Sequence, residues 1–355
     1  MSMFAFGRYG RVGGGGRWGL VGGRGVLLLA AKLGFQFRDH LRSLRAQETQ
    51  HRPATHDGTD YQKIGHRVFT EIYPVHRIYP RGRFTYKGCF GEGKPLHLVA
   101  MSPSHGRIRQ SVCAWCYENK SLDALAQRAK GLGLAGIDIV EPGEWSTLKK
   151  HGLICTMTPS HPIEKGLNDP ANHGRCLEKI KAAIEVTADA GFPNVICFSG
   201  NRRRGISDER GSRNCAAALK KVVGFAEKRK VTLCMELLNS KIDHPGYMCD
   251  RTEWGADLVR RVGSERFKLL YDIYHAQVQE GDVIATIRKH ADAIGHYHTG
   301  GVPGRNEIGD RQELYYPAIM RAIAETGFSG YVAHEFIPTG NAFASLREAV
   351  SICRL

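Results

Sequence analysis

Leu233-Cys234-Met235-Glu236, Leu269-Leu270-Tyr271-Asp272, Gly295-His296-Tyr297-His298 and Val332-Ala333-His334-Glu335 are four short, mostly apolar runs, each closing on a polar side chain. The closing residues lie 36, 26 and 37 positions apart, about one strand-plus-helix unit each. A parallel strand buried on both faces reads as such a run. In a (β/α)₈ barrel the carboxyl ends of all strands meet on one face. The spacing therefore predicts that Glu236, Asp272, His298 and Glu335 converge there. Three carboxylates and one imidazole form a binding set for a divalent cation.

Upstream the same alternation continues. Ile108–Cys113 reads as a first strand, and Ser121 caps a helix with Leu122, Leu125, Ala126, Ala129 and Leu132 on one face. Gly136–Glu141, Ile154–Met157 and Asn194–Phe198 read as strands two to four. Helices are expected from Glu144, through Leu177, Ile180 and Ile184, and through Leu219, Val222, Val223 and Ala226. Later helices are expected around Ala256–Val262, Val283–Arg288, Ala318–Glu325 and Ser345–Ile352. That gives eight alternations in residues 107–355, near the ~250 residues of a (β/α)₈ TIM barrel. An open doubly wound sheet would not gather four consecutive strand ends around one centre.

The formal charge of +15 is unevenly placed. Residues 1–105 carry 16 Lys+Arg against 6 Asp+Glu, whereas the remainder carries 34 against 29. The amino-terminal stretch is Gly- and Arg-rich with little periodicity, and is expected to be a disordered extension or a start assigned too far upstream. Its basicity says little about what the barrel binds. No run reaches the roughly 18 apolar residues of a membrane span, so no membrane partner is expected. Most of the ten cysteines lie in apolar segments, which points to a reduced, cytoplasmic setting. Cys113 and Cys116 form a C-x-x-C at the end of a strand, outside a thioredoxin-like context.

Oxygen-rich ligands favour Mn²⁺, Mg²⁺ or Co²⁺ over Zn²⁺, and leave positions for a substrate with adjacent oxygens, such as an α-hydroxycarbonyl. A cation there polarises the carbonyl and stabilises the enediolate left when the α-proton departs. Aldose–ketose interconversion also needs one group to take that proton and one to return it, and Glu236 and Glu335 are the candidates. His275 and Arg305 are candidate substrate contacts, in the first turn after strand six and in the loop after His298. Glu141 and His161 follow strands two and three, with structural roles at least as probable as functional ones. The run Arg202-Arg203-Arg204 is more often a solvated loop than an anion site.

These blocks resemble the hydroxypyruvate isomerase family of the xylose-isomerase-like TIM barrels. The resemblance spans about 107–355 and rests on Met235-Glu236-Leu237-Leu238-Asn239, Tyr271-Asp272-Ile273-Tyr274-His275, Gly295-His296-Tyr297-His298, Pro303-Gly304-Arg305-Asn306-Glu307 and Glu335-Phe336-Ile337-Pro338. It implies a proton donor/acceptor pair at Glu236 and Glu335. It also implies a divalent metal on Glu236, Asp272, His298 and Glu335, and hydroxypyruvate or a related small hydroxy-keto acid or sugar as substrate. The hydroxypyruvate isomerases proper commonly carry Gln where this chain has His298; histidine is the choice of the ketose 3-epimerases.

The function expected is thus an aldose–ketose isomerase, with a ketose 3-epimerase or an inositol-ketone dehydratase as close alternatives. A sugar-binding barrel without catalysis is a further rival. An apurinic endonuclease shares this barrel superfamily but clusters three zinc ions with a denser ligand set, and no nucleic-acid partner is expected here. Homo-oligomerisation is left open.

Overall fold

The computed structural model describes residues 108–355. The expectation for the amino-terminal extension falls outside these described residues. Eight strands run parallel: β1 (Arg109–Cys113), β2 (Gly136–Asp138), β3 (Ile154–Cys155), β4 (Asn194–Cys197), β5 (Thr232–Glu236), β6 (Phe267–Asp272), β7 (Ile294–Thr299) and β8 (Tyr331–His334). Their order is β3-β2-β1-β8-β7-β6-β5-β4, so β1 pairs with β8 and the sheet curls on itself. Just beyond β3 a parallel bridge between Thr158 and Val195 joins the remaining edges, with Thr158 N–H donating to Asn194 C=O at 2.9 Å.

Helices alternate with the strands: α1 (Leu122–Gly131), α2 (Trp145–Lys150), α3 (His173–Asp189), α4 (Asp208–Leu219), α5 (Val223–Arg229), α6 (Thr252–Val262), α7 (Ile273–Gln279), α8 (Val283–Lys289), α9 (Tyr316–Glu325) and α10 (Ala342–Ile352). The Ser121 hydroxyl accepts from Ala124 N–H at 3.2 Å, which fixes the start of α1, and Leu125, Ala126 and Ala129 face inward. Helix α3 buries Cys176, Ile180, Ala183, Ile184 and Thr187, a stripe at helical spacing that covers β4. Fully burying a side chain such as Ile180 stabilises the fold by about 1.5–3 kcal/mol.

Two local expectations are corrected, and one helix, α7, adds to those expected. The helix read through Leu219 to Ala226 is two helices, because Lys220–Val222 leave the helical path between α4 and α5. Helix α7 follows β6 without a loop, since the Asp272 carboxylate caps it by accepting from His275 N–H at 3.0 Å. Strand β2 stops at Asp138, not Glu141, because Ile139 takes a left-handed backbone (φ 59°).

The β3–α3 loop lies directly on the end of β4. A Cβ on Gly166 would sit 2.3 Å from Gly200 N, and Gly200 itself has φ 88°. Gly166→Ala therefore must push backbone against backbone, with an expected loss of about 1–3 kcal/mol. Urea unfolding reads this directly; an unchanged midpoint would show that the loop yields without cost.

Candidate metal and substrate site

Strands β5 to β8 deliver the four candidate side chains to one point. One ligand atom from each of Glu236, Asp272, His298 and Glu335 lies within 4.8 Å of every other, and all four residues are buried. Glu236 and Asp272 are the last residues of their strands, His298 is one before the end of β7, and Glu335 is one beyond β8. The side chains thus project from the carboxyl-terminal face, as in other barrels of this design.

The contacts are specific. His298 Nδ1 lies 2.7 Å from Glu335 Oε2 and 3.4 Å from Glu236 Oε1. Arg305 donates to Asp272 Oδ2 at 2.9 Å and also to Glu335 Oε2. Trp115 Nε1 donates to Glu335 Oε1 at 2.6 Å, so both oxygens of that carboxylate are held. The Tyr247 hydroxyl accepts from Ser199 N–H at 3.1 Å and donates to Glu236 C=O at 3.0 Å, which fixes the end of β5. Asn239 donates to His275 Nδ1 at 2.6 Å, leaving the proton on Nε2, which has no partner among the described residues and lies 3.9 Å from Asp272 Oδ2.

Three carboxylates this close cannot all ionise without positive charge nearby. Burial, offset by Arg305 and aggravated by Glu335, raises Asp272 to about 7. Burial likewise lifts Glu236, with the Glu335 charge adding to it. For Glu335 burial acts upward too, but Arg305 and His298 outweigh it and hold the carboxyl well below its usual range. Burial opposes the charge on His298, yet Cys113, Glu335 and Asp138 raise it well above an ordinary imidazole. The donor set fits a divalent cation: three oxygen ligands and one nitrogen, with a surplus of negative charge. Arg305 meets two of the same oxygens, so its guanidinium and a cation compete for them.

Other candidates fall elsewhere. Glu141 is exposed and outside the cluster. Arg202 is tied to Asp208 and Asp250, and Arg203 pairs with Asp169, so two of the three arginines are held by carboxylates of their own chain, while Arg204 is exposed. Cys113 and Cys116 are both free thiols, and burial raises both far above an ordinary thiol. Among the described residues no helix is long and apolar enough to cross a membrane.

His161 accepts from Phe198 N–H at Nε2 (3.2 Å), and its Nδ1 lies 3.1 Å from Pro162 C=O. With one ring nitrogen accepting and one donating, the neutral ring is the one that fits. Burial lowers its pKa from 6.5 to about 4, and it lowers that of His334 from 6.5 to about 4 as well. Both folded values lie below the unfolded value. Their stabilisation is therefore complete above about pH 6.5 and is lost as pH falls toward 4, by roughly 3 kcal/mol each. His161→Gln is expected to flatten the stability–pH curve in that window; an unchanged slope in urea unfolding would assign the acid sensitivity to other groups.

Sequence reasoning missed Asp138, Trp115 and Tyr247. Asp138 stands among apolar residues in a strand buried on both faces, a signal that was present. Nothing local marks Trp115 or Tyr247, because their partners lie 220 and 11 residues away.

Comparison with known proteins follows the same lines. Residues 145–354, more than half of the chain, match the xylose isomerase-like TIM barrel family model. Hydroxypyruvate isomerase of Escherichia coli is 25% identical over 233 residues, covering 62% of this chain and 90% of that protein. 2-Oxo-tetronate isomerase of Cupriavidus necator is 34% identical over 121 residues, 34% of this chain and 46% of that protein. Among solved structures, a family 2 AP endonuclease of Brucella melitensis superposes with a TM-score of 0.62 at 19% identity, covering 67% of this chain and 96% of its own. At that identity the likeness carries the fold alone. The chain belongs to the xylose isomerase-like TIM barrel family.

Proposed function

We propose that the chain is a metal-dependent isomerase of small α-hydroxycarbonyl compounds, of the aldose–ketose type represented by hydroxypyruvate isomerase. The observation that carries this reading is the meeting of Glu236, Asp272, His298 and Glu335 within 4.8 Å. Glu236, Asp272, His298 and Glu335 would hold a divalent cation, with Mn²⁺, Mg²⁺ or Co²⁺ suited better than Zn²⁺ to their oxygen-rich set. When bound, the cation supplies positive charge to the substrate oxygen that gains electron density as the α-proton leaves.

The chain's own groups do the rest. Glu335, whose carboxylate would stay ionised beside the cation that takes the place of Arg305, takes the proton from one carbon. Glu236 returns a proton to the neighbouring carbon while the hydroxyl proton passes from one substrate oxygen to the other, and exchange with solvent resets the two carboxyls. His275 offers its unpartnered Nε2–H to a substrate oxygen. With Asp272 and Glu335 serving as ligands, the Arg305 guanidinium would be free to hold a substrate carboxylate or hydroxyl. Both glutamates are buried, which excludes water from the reacting carbons.

A ketose 3-epimerase is the second reading, favoured by histidine at position 298. An endonuclease is disfavoured: among the described residues every metal-competent group includes His298, which cannot serve three separate ions. The histidine after the third strand, His161, is committed to the backbone. The test is ¹H NMR in D₂O of hydroxypyruvate and C3 to C6 hydroxy-ketones, with Mn²⁺, Mg²⁺, Co²⁺ or chelator. Cation-dependent deuterium at the α-carbon supports the reading, and a product aldehyde separates isomerase from epimerase. No exchange in any substrate with any cation overturns it.

A further inference from the structure

We infer that Asp138 is a positioning residue that fixes the ring of His298 so that Nδ1 faces the cation site. This inference rests on the metal reading above and assigns a role to a carboxylate outside the ligand set. Asp138 ends β2 on the far side of His298 from the glutamates, and both residues are fully buried. His298 Nε2 lies 3.3 Å from Asp138 Oδ2, while Nδ1 on the opposite edge of the ring faces Glu335 and Glu236. A metal-bound histidine commonly donates its other N–H to a carboxylate, which sets tautomer and ring orientation together.

Asp138 is itself held for this task. The Ser111 hydroxyl from β1 donates to Oδ1 at 2.8 Å, and the Thr156 hydroxyl, just beyond β3, donates to the same atom. Both hydroxyls occupy one oxygen and leave Oδ2 to the histidines. His296 Nε2 also lies 2.7 Å from Oδ2 but out of line for a hydrogen bond, and burial lowers its pKa, so it packs beside the carboxylate as a neutral ring. Strand β1, the residue just beyond β3, and β7 thus all meet the Asp138 carboxylate, and its Oδ2 is the atom hydrogen-bonded to His298 Nε2. With the proton kept on Nε2, the Nδ1 lone pair is the one available to a cation. Cys113 Sγ, 3.7 Å from Nε2, is too long and weak a partner to set the tautomer.

Asp138→Asn preserves shape while allowing an amide N–H to face Nε2, which would move the ring proton to Nδ1. The probe is Mn²⁺ alone, titrated into the full chain with free Mn²⁺ read by EPR. The expected result is a 10–100-fold weaker Kd with the folded circular-dichroism spectrum retained. In a His298→Gln background, where no ring proton exists to be placed, Asp138→Asn should leave Kd unchanged. An equal Kd for wild type and Asp138→Asn, or the same loss in both backgrounds, overturns the inference, since the latter is what a merely structural role produces. If Asp138→Asn does not fold, Thr156→Val replaces it: removal of one clamp on Oδ1 should weaken Mn²⁺ several-fold, and an unchanged Kd overturns the inference. Wild-type protein that binds no Mn²⁺ would instead overturn the metal reading itself.

Discussion

Glu335→Gln is expected to abolish exchange of the substrate α-proton with solvent while the barrel stays folded. The glutamine keeps the shape and can still accept from Trp115 Nε1, which holds Oε1 at 2.6 Å in the native chain. It cannot take a proton at neutral pH. Losing a general base costs about 10²–10⁴ in rate, and here the cost falls toward the upper end because the same oxygens also serve the cation. Glu236→Gln should fail equally, though for the return step: substrate deuteration at the neighbouring carbon disappears. The two variants are told apart from simple loss of metal by measuring Mn²⁺ binding in each. A variant that binds Mn²⁺ and retains wild-type exchange removes that glutamate from proton transfer.

Chelation should produce the second large effect. If the cation contributes ~4 kcal/mol to the barrier, stripping it lowers turnover by roughly three powers of ten, restored by adding the cation back. The same treatment should lower the thermal midpoint. Asp272, Glu236 and Glu335 then depend on Arg305 and His298 alone for compensation, and burial already pushes Asp272 up to about 7. A metal-free chain would be stabilised by Mn²⁺ in proportion to ln(1 + [Mn²⁺]/Kd). Turnover and midpoint both indifferent to chelator would contradict a metal role.

Much of this site was legible in the sequence because its physics is local. A strand sheathed on both faces is mostly apolar until it leaves the sheet, so Glu236, Asp272, His298 and Glu335 each stood out near a strand end. The alternation of runs and helices then set the barrel. What could not be read depended on geometry between distant segments. Arg202 and Arg203 read as a solvated loop more than an anion site, and nothing near them in sequence announced that Asp250 and Asp169 would engage them alongside Asp208. Glu141 was taken for the end of β2 because nothing in the sequence announces the left-handed turn at Ile139, which leaves Asp138 as the buried terminus. Arg305 was read as a substrate contact, and the structure adds that it bridges Asp272 and Glu335.

Anomalous diffraction from crystals grown with Mn²⁺, at the manganese edge, tests the central claim most directly. One peak per chain is predicted, about 2.0–2.3 Å from Glu236, Asp272, His298 Nδ1 and Glu335, with Arg305 withdrawn from two of those carboxylates. A peak bound elsewhere, or Arg305 still bridging Asp272 and Glu335 with no cation beside them at saturating Mn²⁺, would contradict it.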